Sequence, residues 1–308
     1  MKTKSGKELY KIGIGSYGIG GRGHRDMDLT EKLNDQVYID GLVYSLEKGM
    51  NFTEIALGYG HGNSLKLFKQ ALDKSSVKRE DIFVTNSLYS RDFSHIKDAK
   101  KDIEDFYIIM GTDYADSTLV TQSLLLKFGK EKIYHLLHNL LDSGKTRCVS
   151  ISNAGINTIK EFKEEFGDKF FAHEGHISFE IRAMQDEGIF DLCGGLNVVN
   201  IIWRPLRRNE TEKLNWELLV NLSKKYNKTQ NQIILNWMVY MNYYPMVMST
   251  NKQHIDENIG SLDFKMVDEE YKLITDFRPP NYIPHKIDWE SSVGTPLVNM
   301  IKDFENKN

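Results

Sequence analysis

Cysteine is nearly absent, with 2 in 308 residues. Two thiols cannot frame a disulfide-stapled scaffold of this length, and Cys148 and Cys193 both stand among apolar neighbours. Free buried thiols are expected there, rather than a bridge or a metal site. Such usage suits a reducing compartment and predicts a cytoplasmic protein. An excess of one charge is lacking too. Lys+Arg 40 against Asp+Glu 43 gives a formal net charge of −3, which argues against nucleic acid or an anionic membrane as a partner. No apolar run approaches the ~20 residues that span a bilayer. The basic opening Met1-Lys2-Thr3-Lys4 precedes no apolar stretch, which predicts no signal peptide. Low-complexity tracts are also missing. By exclusion the expected partner is a small molecule, and no feature points to a protein partner.

What is present reads as an ordinary globular chain, 40% hydrophobic and 27% charged. Strand and helix patterns alternate throughout. Lys11–Gly15 is a short strand ending at Ser16-Tyr17, and Gly18–Arg25 is a basic, Gly-rich stretch whose irregular spacing predicts a flexible loop. A helix is expected over 37–48, with Gly49 as its stop, and a second over 64–72. Further strands are expected at 82–86, 117–120, 147–151, 171–179, 198–203 and 244–248, with helices at 95–110, 133–141, 156–166, 183–193, 216–226, 229–241 and 268–277 between and after them. Strand-helix units recurring at roughly 30 residues predict an α/β protein built as one (β/α)8 barrel. The domain is expected to span 1–308, with a tail from 278 lying over or near the substrate pocket. The stretch 122–128 is expected to be a pocket-shaping loop.

The segment Gly49-Met50-Asn51-Phe52-Thr53-Glu54-Ile55-Ala56-Leu57-Gly58-Tyr59-Gly60-His61-Gly62-Asn63-Ser64 has the form of a strand opening into a Gly-rich turn. Barrels of this kind place their chemistry in such turns. Farther on, Thr112-Asp113-Tyr114-Ala115-Asp116 precedes a strand, and Gly144-Lys145-Thr146-Arg147 leads after four residues to Ser152-Asn153. Arg204-Pro205-Leu206 follows an apolar strand, and Gln232, Leu235 and Trp237 share a helix. His135 and His138 stand three apart on a helix with no third ligand, which predicts a surface pair and no metal site.

Together these motifs resemble the aldo-keto reductase superfamily over about residues 9–277. The resemblance implies a nicotinamide cofactor and a Tyr that protonates the substrate oxygen, matched here by Tyr59. It also marks departures. Glu54 stands for the family's Asp, Ser87 for the Lys that lowers the Tyr pKa, and Thr121 for the His that bonds the substrate oxygen. His61 is expected to be the nearest further acid or base to Tyr59. For the cofactor, the resemblance implies Ser16 and Tyr17 at the first strand end, Ser152 and Asn153 on the carboxamide, and Glu174 in place of Gln beside them. Trp203 would stack on the nicotinamide, with Arg204 and Leu206 in the following turn. Ser249, Thr250 and His254 would lie near a 2′-phosphate, and Glu257-Asn258 near adenine. NADP is the expected cofactor, with NAD as the alternative.

A phenol titrates near 10 and needs help to act as an acid at neutral pH. Without Lys and His, ordinary aldehyde reduction through Tyr59 should be slow. Three readings stay open. One is an oxidoreductase with a repurposed or weakened site for a sugar-like or natural-product intermediate. The others are a cofactor-binding scaffold without turnover, and a non-redox enzyme such as a dehydratase or epimerase. Ser152, Asn153 and Trp203 support the first two, and the first is adopted.

Overall fold

The computed structural model describes residues 2–289. Eight parallel strands close into a barrel in chain order: β1 (Gly13–Gly15), β2 (Phe52–Ala56), β3 (Phe83–Leu88), β4 (Ala115–Thr121), β5 (Thr146–Ser152), β6 (Phe170–Gly175), β7 (Val199–Ile202) and β8 (Tyr243–Val247). β1 pairs with both β2 and β8, which closes the ring. The expected (β/α)8 barrel is therefore the observed fold. Strands β2, β3, β4 and β6 are buried at every position, as expected of parallel strands covered on both faces.

Local chemistry explains the intervening helices. Asn34 caps the helix Asp35–Glu47 by accepting from the Gln36 N–H, which satisfies one of the free amides of its first turn. Thr229 and Gln232 form a capping box on Gln230–Tyr240. The helix Ile96–Met110 ends at Gly111 in the left-handed conformation. Leu, Ile and Phe from such helices fill the space outside the strands. A second apolar cluster, with Phe52, Phe83, Phe171, Ile201 and Met246, fills the lumen. Side chains alternate along a strand, so Glu54 follows Phe52 on the inward face, one layer nearer the carboxyl ends. The lumen thus has an apolar floor and a polar layer above it.

Several boundaries differ from the sequence reading. The sixth strand stops at Gly175 rather than running to Phe179, because the chain turns to bury Arg182. That guanidinium donates to the Phe179 and Ile274 carbonyls and lies 4.3 Å from the Trp237 ring centroid. The helix expected over 183–193 is two, Ala183–Asp186 and Ile189–Gly195, separated around Gly188. Residues Gln122–Phe128, expected as a loop, form a helix whose N-cap is Thr121. Cys148 and Cys193 are buried free thiols.

After the helix Asp268–Asp276 the chain runs back along the carboxyl end of the barrel. Arg278 and Tyr282 bond Asp186, and the Ile287 amide and Trp289 indole bond the two oxygens of Glu187. The Gln122 amide donates to the Trp289 carbonyl and accepts from the Gly155 N–H. A Cβ on Gly155 would lie 2.6 Å from the Trp289 ring, so only glycine admits the indole there. The rest of the expected tail, 290–308, lies outside the described residues. Among the described residues no helix is long and apolar enough to cross a membrane.

Candidate active site

The β2–β3 register pairs Glu54 with Thr85 and Ala56 with Ser87. Inward alternation brings Glu54 and Ser87 together above the Phe52 and Phe83 floor. Tyr59 follows β2 in a tight turn, and Tyr89 lies one residue beyond β3 on its inward phase. Their hydroxyls meet: Tyr59 donates to the Tyr89 oxygen at 2.9 Å. Both hydroxyls also face Glu54 Oε1, at 3.5 Å from Tyr59 and 3.4 Å from Tyr89. Two phenols and one carboxyl form a closed triangle.

Aromatic packing fixes Tyr59. Tyr17 and His24 each set an edge against its ring, at 5.2 and 5.0 Å between centroids. His24 Nδ1 lies 3.4 Å from Asp92, and a Cβ on Gly58 would lie 2.3 Å from the Asp92 carboxylate. The stretch 18–25, expected as a flexible loop, is therefore tied down. Gly60 N–H donates to the Gly23 carbonyl, and Arg25 grips Asp102 through two bonds of 2.9 and 2.7 Å.

Burial pushes the Glu54 carboxyl up to about 7, while the hydroxyls of Ser87, Tyr89 and Tyr59 pull it back. Ser87 Oγ acts by proximity, since it makes no hydrogen bond of ordinary geometry. Burial and the Glu54 charge hold Glu174 well above the usual carboxylate range. Tyr59 and Tyr89 are raised by burial and by both carboxyls. Among the described residues no lysine or arginine forms an ion pair with Glu54 or Glu174. The lumen is a site where carboxyls and phenols hold their protons.

A second group forms where β5 meets β6. Ser152 and Glu174 are register partners, and Ser152 Oγ and Glu174 Oε2 are buried with no hydrogen-bond partner. Both oxygens are therefore free to meet a ligand. A hydroxyl and a carboxyl oxygen side by side match a ligand group that carries both a donor and an acceptor. Asn153 has a left-handed backbone, φ 51°. Its N–H donates to the Glu174 carbonyl and its Oδ1 accepts from the Trp203 indole at 3.1 Å. The Trp203 carbonyl accepts from His176 Nδ1 at 3.0 Å. The indole is thereby fixed at the rim, half-buried.

The other expected site residues are placed as follows. His61 is not brought to Tyr59: its ring bonds the Met27 carbonyl on an exposed face, because the left-handed turn at Gly60-His61 points it outward. Thr121 is buried, but its hydroxyl is committed to the Leu124 N–H and Ser123. Ser16 Oγ donates to the Glu54 carbonyl and locks β1 to β2. Arg204 follows Trp203 with φ 54°, and Leu206 packs on the outer core. Ser249 and Thr250 precede the helix Lys252–Ile259, whose first turn exposes His254. Glu257 is turned toward Thr229 Oγ1, and Asn258 is buried. Sequence reasoning missed Tyr89, His24 and Asp92. Period-two alternation from Phe83 through Ser87 could have found Tyr89. Nothing local signals the other two.

Among the described residues no three His, Cys, Asp or Glu side chains converge as a metal set. An open hollow of about 670 Å³ surrounds Lys4, Arg79, Tyr107 and Tyr114. It lies at the amino ends of β3 and β4, away from this chemistry.

Comparison with known proteins agrees with this architecture. The chain is 25% identical over 249 residues to a glyoxal reductase of Bacillus subtilis, covering 75% of this chain and 85% of the relative. It is 25% identical over 250 residues to a 9,11-endoperoxide prostaglandin H2 reductase of Trypanosoma cruzi, covering 75% and 84%. A crystal structure of an aldo-keto reductase from Klebsiella pneumoniae in complex with NADPH superimposes with a TM-score of 0.75 at 16% identity, covering 93% of this chain and 98% of that one. The model of the Aldo/keto reductase family matches residues 11–279. A match over that span, on a barrel closed in this order, means that the chain belongs to the aldo/keto reductase family.

Proposed function

We propose that the protein is an oxidoreductase that binds a nicotinamide dinucleotide at the carboxyl end of the barrel and uses Tyr59 to protonate the oxygen of a small carbonyl substrate. The observation that carries this reading is the orphaned pair Ser152 Oγ and Glu174 Oε2, since a carboxamide offers the acceptor and donor they lack. Trp203 stands beside them with its indole held by Asn153, where its face can cover a planar ring. NADP is favoured over NAD because the Klebsiella pneumoniae neighbour was solved with NADPH. When bound, the cofactor supplies the hydride.

The rest of the chemistry belongs to this chain. Tyr59 gives its proton to the substrate oxygen. Tyr89, 2.9 Å away, and Glu54 can return one, because Glu54 holds a proton up to about pH 7. Reduction should weaken as pH rises through that value. The raised Tyr59 pKa and the lack of an ammonium favour a slow, specialised reaction over broad aldehyde reduction. A sugar-like or natural-product intermediate suits such a site, with the tail from Arg278 to Trp289 shaping its pocket. The same raised pKa favours a second reading, a cofactor-binding scaffold with no turnover.

Titration of the purified protein with NADPH and NADP+, followed by tryptophan quenching, tests the proposal. Saturable binding is expected, and Trp203→Leu should cut the signal. If neither nucleotide binds up to millimolar concentration, the oxidoreductase reading fails.

A further inference from the structure

We infer that Glu174, backed by Glu54 within the lumen, makes the site discriminate between the oxidised and reduced forms of its nicotinamide cofactor in a proton-linked manner. The inference rests on the cofactor reading above and extends it to the redox state that is held.

What the side chain at 174 can do depends on whether it can ionise. An amide there would be neutral at every pH. A carboxyl has two states. Protonated, it offers a donor and an acceptor much as an amide does. Ionised, it offers acceptors only and a full negative charge. Glu174 is 3% exposed and Glu54 6%, and neither is in an ion pair among the described residues. Two carboxyls in a dry lumen resist ionising together.

The groups facing this pair can be named element by element. Glu54 comes from β2, Tyr59 from the turn after it, and Tyr89 from the end of β3. From β5, Ser152 brings no charge. Asp92 and His24 stand behind Tyr59. His173 and His176, on and just after β6, are buried and kept neutral by desolvation, each with a pKa lowered to about 3. Arg204 and Arg207 act on His176, and Arg207 pairs with Glu180. The nearest charge able to change is therefore that of the carboxyl pair.

An oxidised nicotinamide ring carries a positive charge and a reduced ring carries none. The two nucleotides are otherwise alike, so their phosphates titrate equally. Placed beside Ser152 and Glu174, the cationic ring favours the ionised carboxyl, and the neutral ring favours the protonated one. The cation replaces the missing ammonium as the partner of the acid pair. Binding of NADP+ should then release a proton that binding of NADPH does not. Each proton released tightens NADP+ relative to NADPH by up to tenfold per pH unit over the range in which the pair is protonated.

The test measures the Kd of NADP+ and of NADPH from pH 6 to 8.5 by tryptophan quenching, for the wild type, Glu174→Gln and Glu54→Gln. Proton release is followed with an indicator dye in weak buffer. For the wild type, the ratio Kd(NADP+)/Kd(NADPH) should fall at least fivefold across that span, with proton release on NADP+ alone. Glu174→Gln should flatten the ratio and abolish the release, and Glu54→Gln should reduce both. Binding of the two nucleotides with parallel pH curves would overturn this inference and leave the cofactor reading intact. Unchanged pH dependence in a folded Glu174→Gln protein would also overturn it. Absence of binding by either nucleotide would defeat both. If Glu174→Gln does not fold, the wild-type ratio and proton release decide the matter.

Discussion

Replacing Glu54 by Gln should make the protein more stable than the wild type at alkaline pH while changing little at acid pH. In the folded protein burial raises this carboxyl from its ordinary 4.5 to about 7. Between those values the native state binds a proton that the unfolded chain has already released, so stability falls as pH rises from about 4.5 through about 7 and levels off above. Holding the proton over that interval corresponds to roughly 3 kcal/mol, with Glu54 fully buried and its field unscreened by solvent. Gln keeps the shape and a donor-acceptor pair but cannot ionise, so this descent disappears from its curve.

Groups that do not feel the Glu54 charge cancel in the comparison. His173 and His176, lowered to about 3, make stability rise with pH between about 3 and their ordinary 6.5, equally in both proteins. Glu174 and the two tyrosines are raised by burial and in part by the Glu54 charge, and Gln removes only that second part. Urea unfolding at pH 5 and pH 8.5 measures the effect. The stability difference, mutant minus wild type, should grow by roughly 2.5 kcal/mol between the two conditions. Parallel curves for the two proteins would mean that Glu54 is solvated or paired, and the reasoning about the lumen would fail.

Two further outcomes concern the turn at Tyr59 and the tail. The triple change Glu54→Asp, Ser87→Lys and Thr121→His should raise turnover of simple aldehydes with NADPH about tenfold or more, a fraction of what one oxyanion donor supplies; it should also cost about 1 kcal/mol of stability, since Thr121 caps the helix Gln122–Phe128. Trp289→Ala removes the indole from Gly155 and Glu187, so limited proteolysis near 279–285 should quicken while the melting temperature changes by only a few degrees; unaltered cleavage would show that the strap is held elsewhere.

The fold was legible because its signals are local. Apolar periodicity, the glycine stops and strings such as Gly144–Asn153 each sit within one strand-helix unit, and such units have few ways to stack. The placement of Tyr59, Ser152, Asn153 and Trp203 at or just beyond strand ends was legible for the same reason. What was lost depends on contacts between distant segments. The third strand was expected to end at Asn86 but runs to Leu88, which hid the inward phase of Tyr89. His24 looked like part of a mobile loop because its partners, Tyr59 and Asp92, lie 35 and 68 residues away. His61 was assigned to the site by proximity in sequence, and a left-handed turn sends it the other way.

Ser87 and Glu54 are best understood together. Removing an ammonium from a buried carboxylate leaves a charge that costs several kcal/mol to keep dry. A barrel that keeps the carboxyl must supply another partner or keep it neutral. Here three hydroxyls face it, from Ser87, Tyr89 and Tyr59, and a proton completes the set up to about pH 7. A lysine fixes the charge of the lumen at every physiological pH, whereas a proton can leave. The charge of this lumen is therefore set by pH and by whatever enters it. A cationic ring would drive the proton out, and a neutral ring would let it stay. On the proposed reading, a lumen that holds its carboxyl without an ammonium responds to the charge of its ligand.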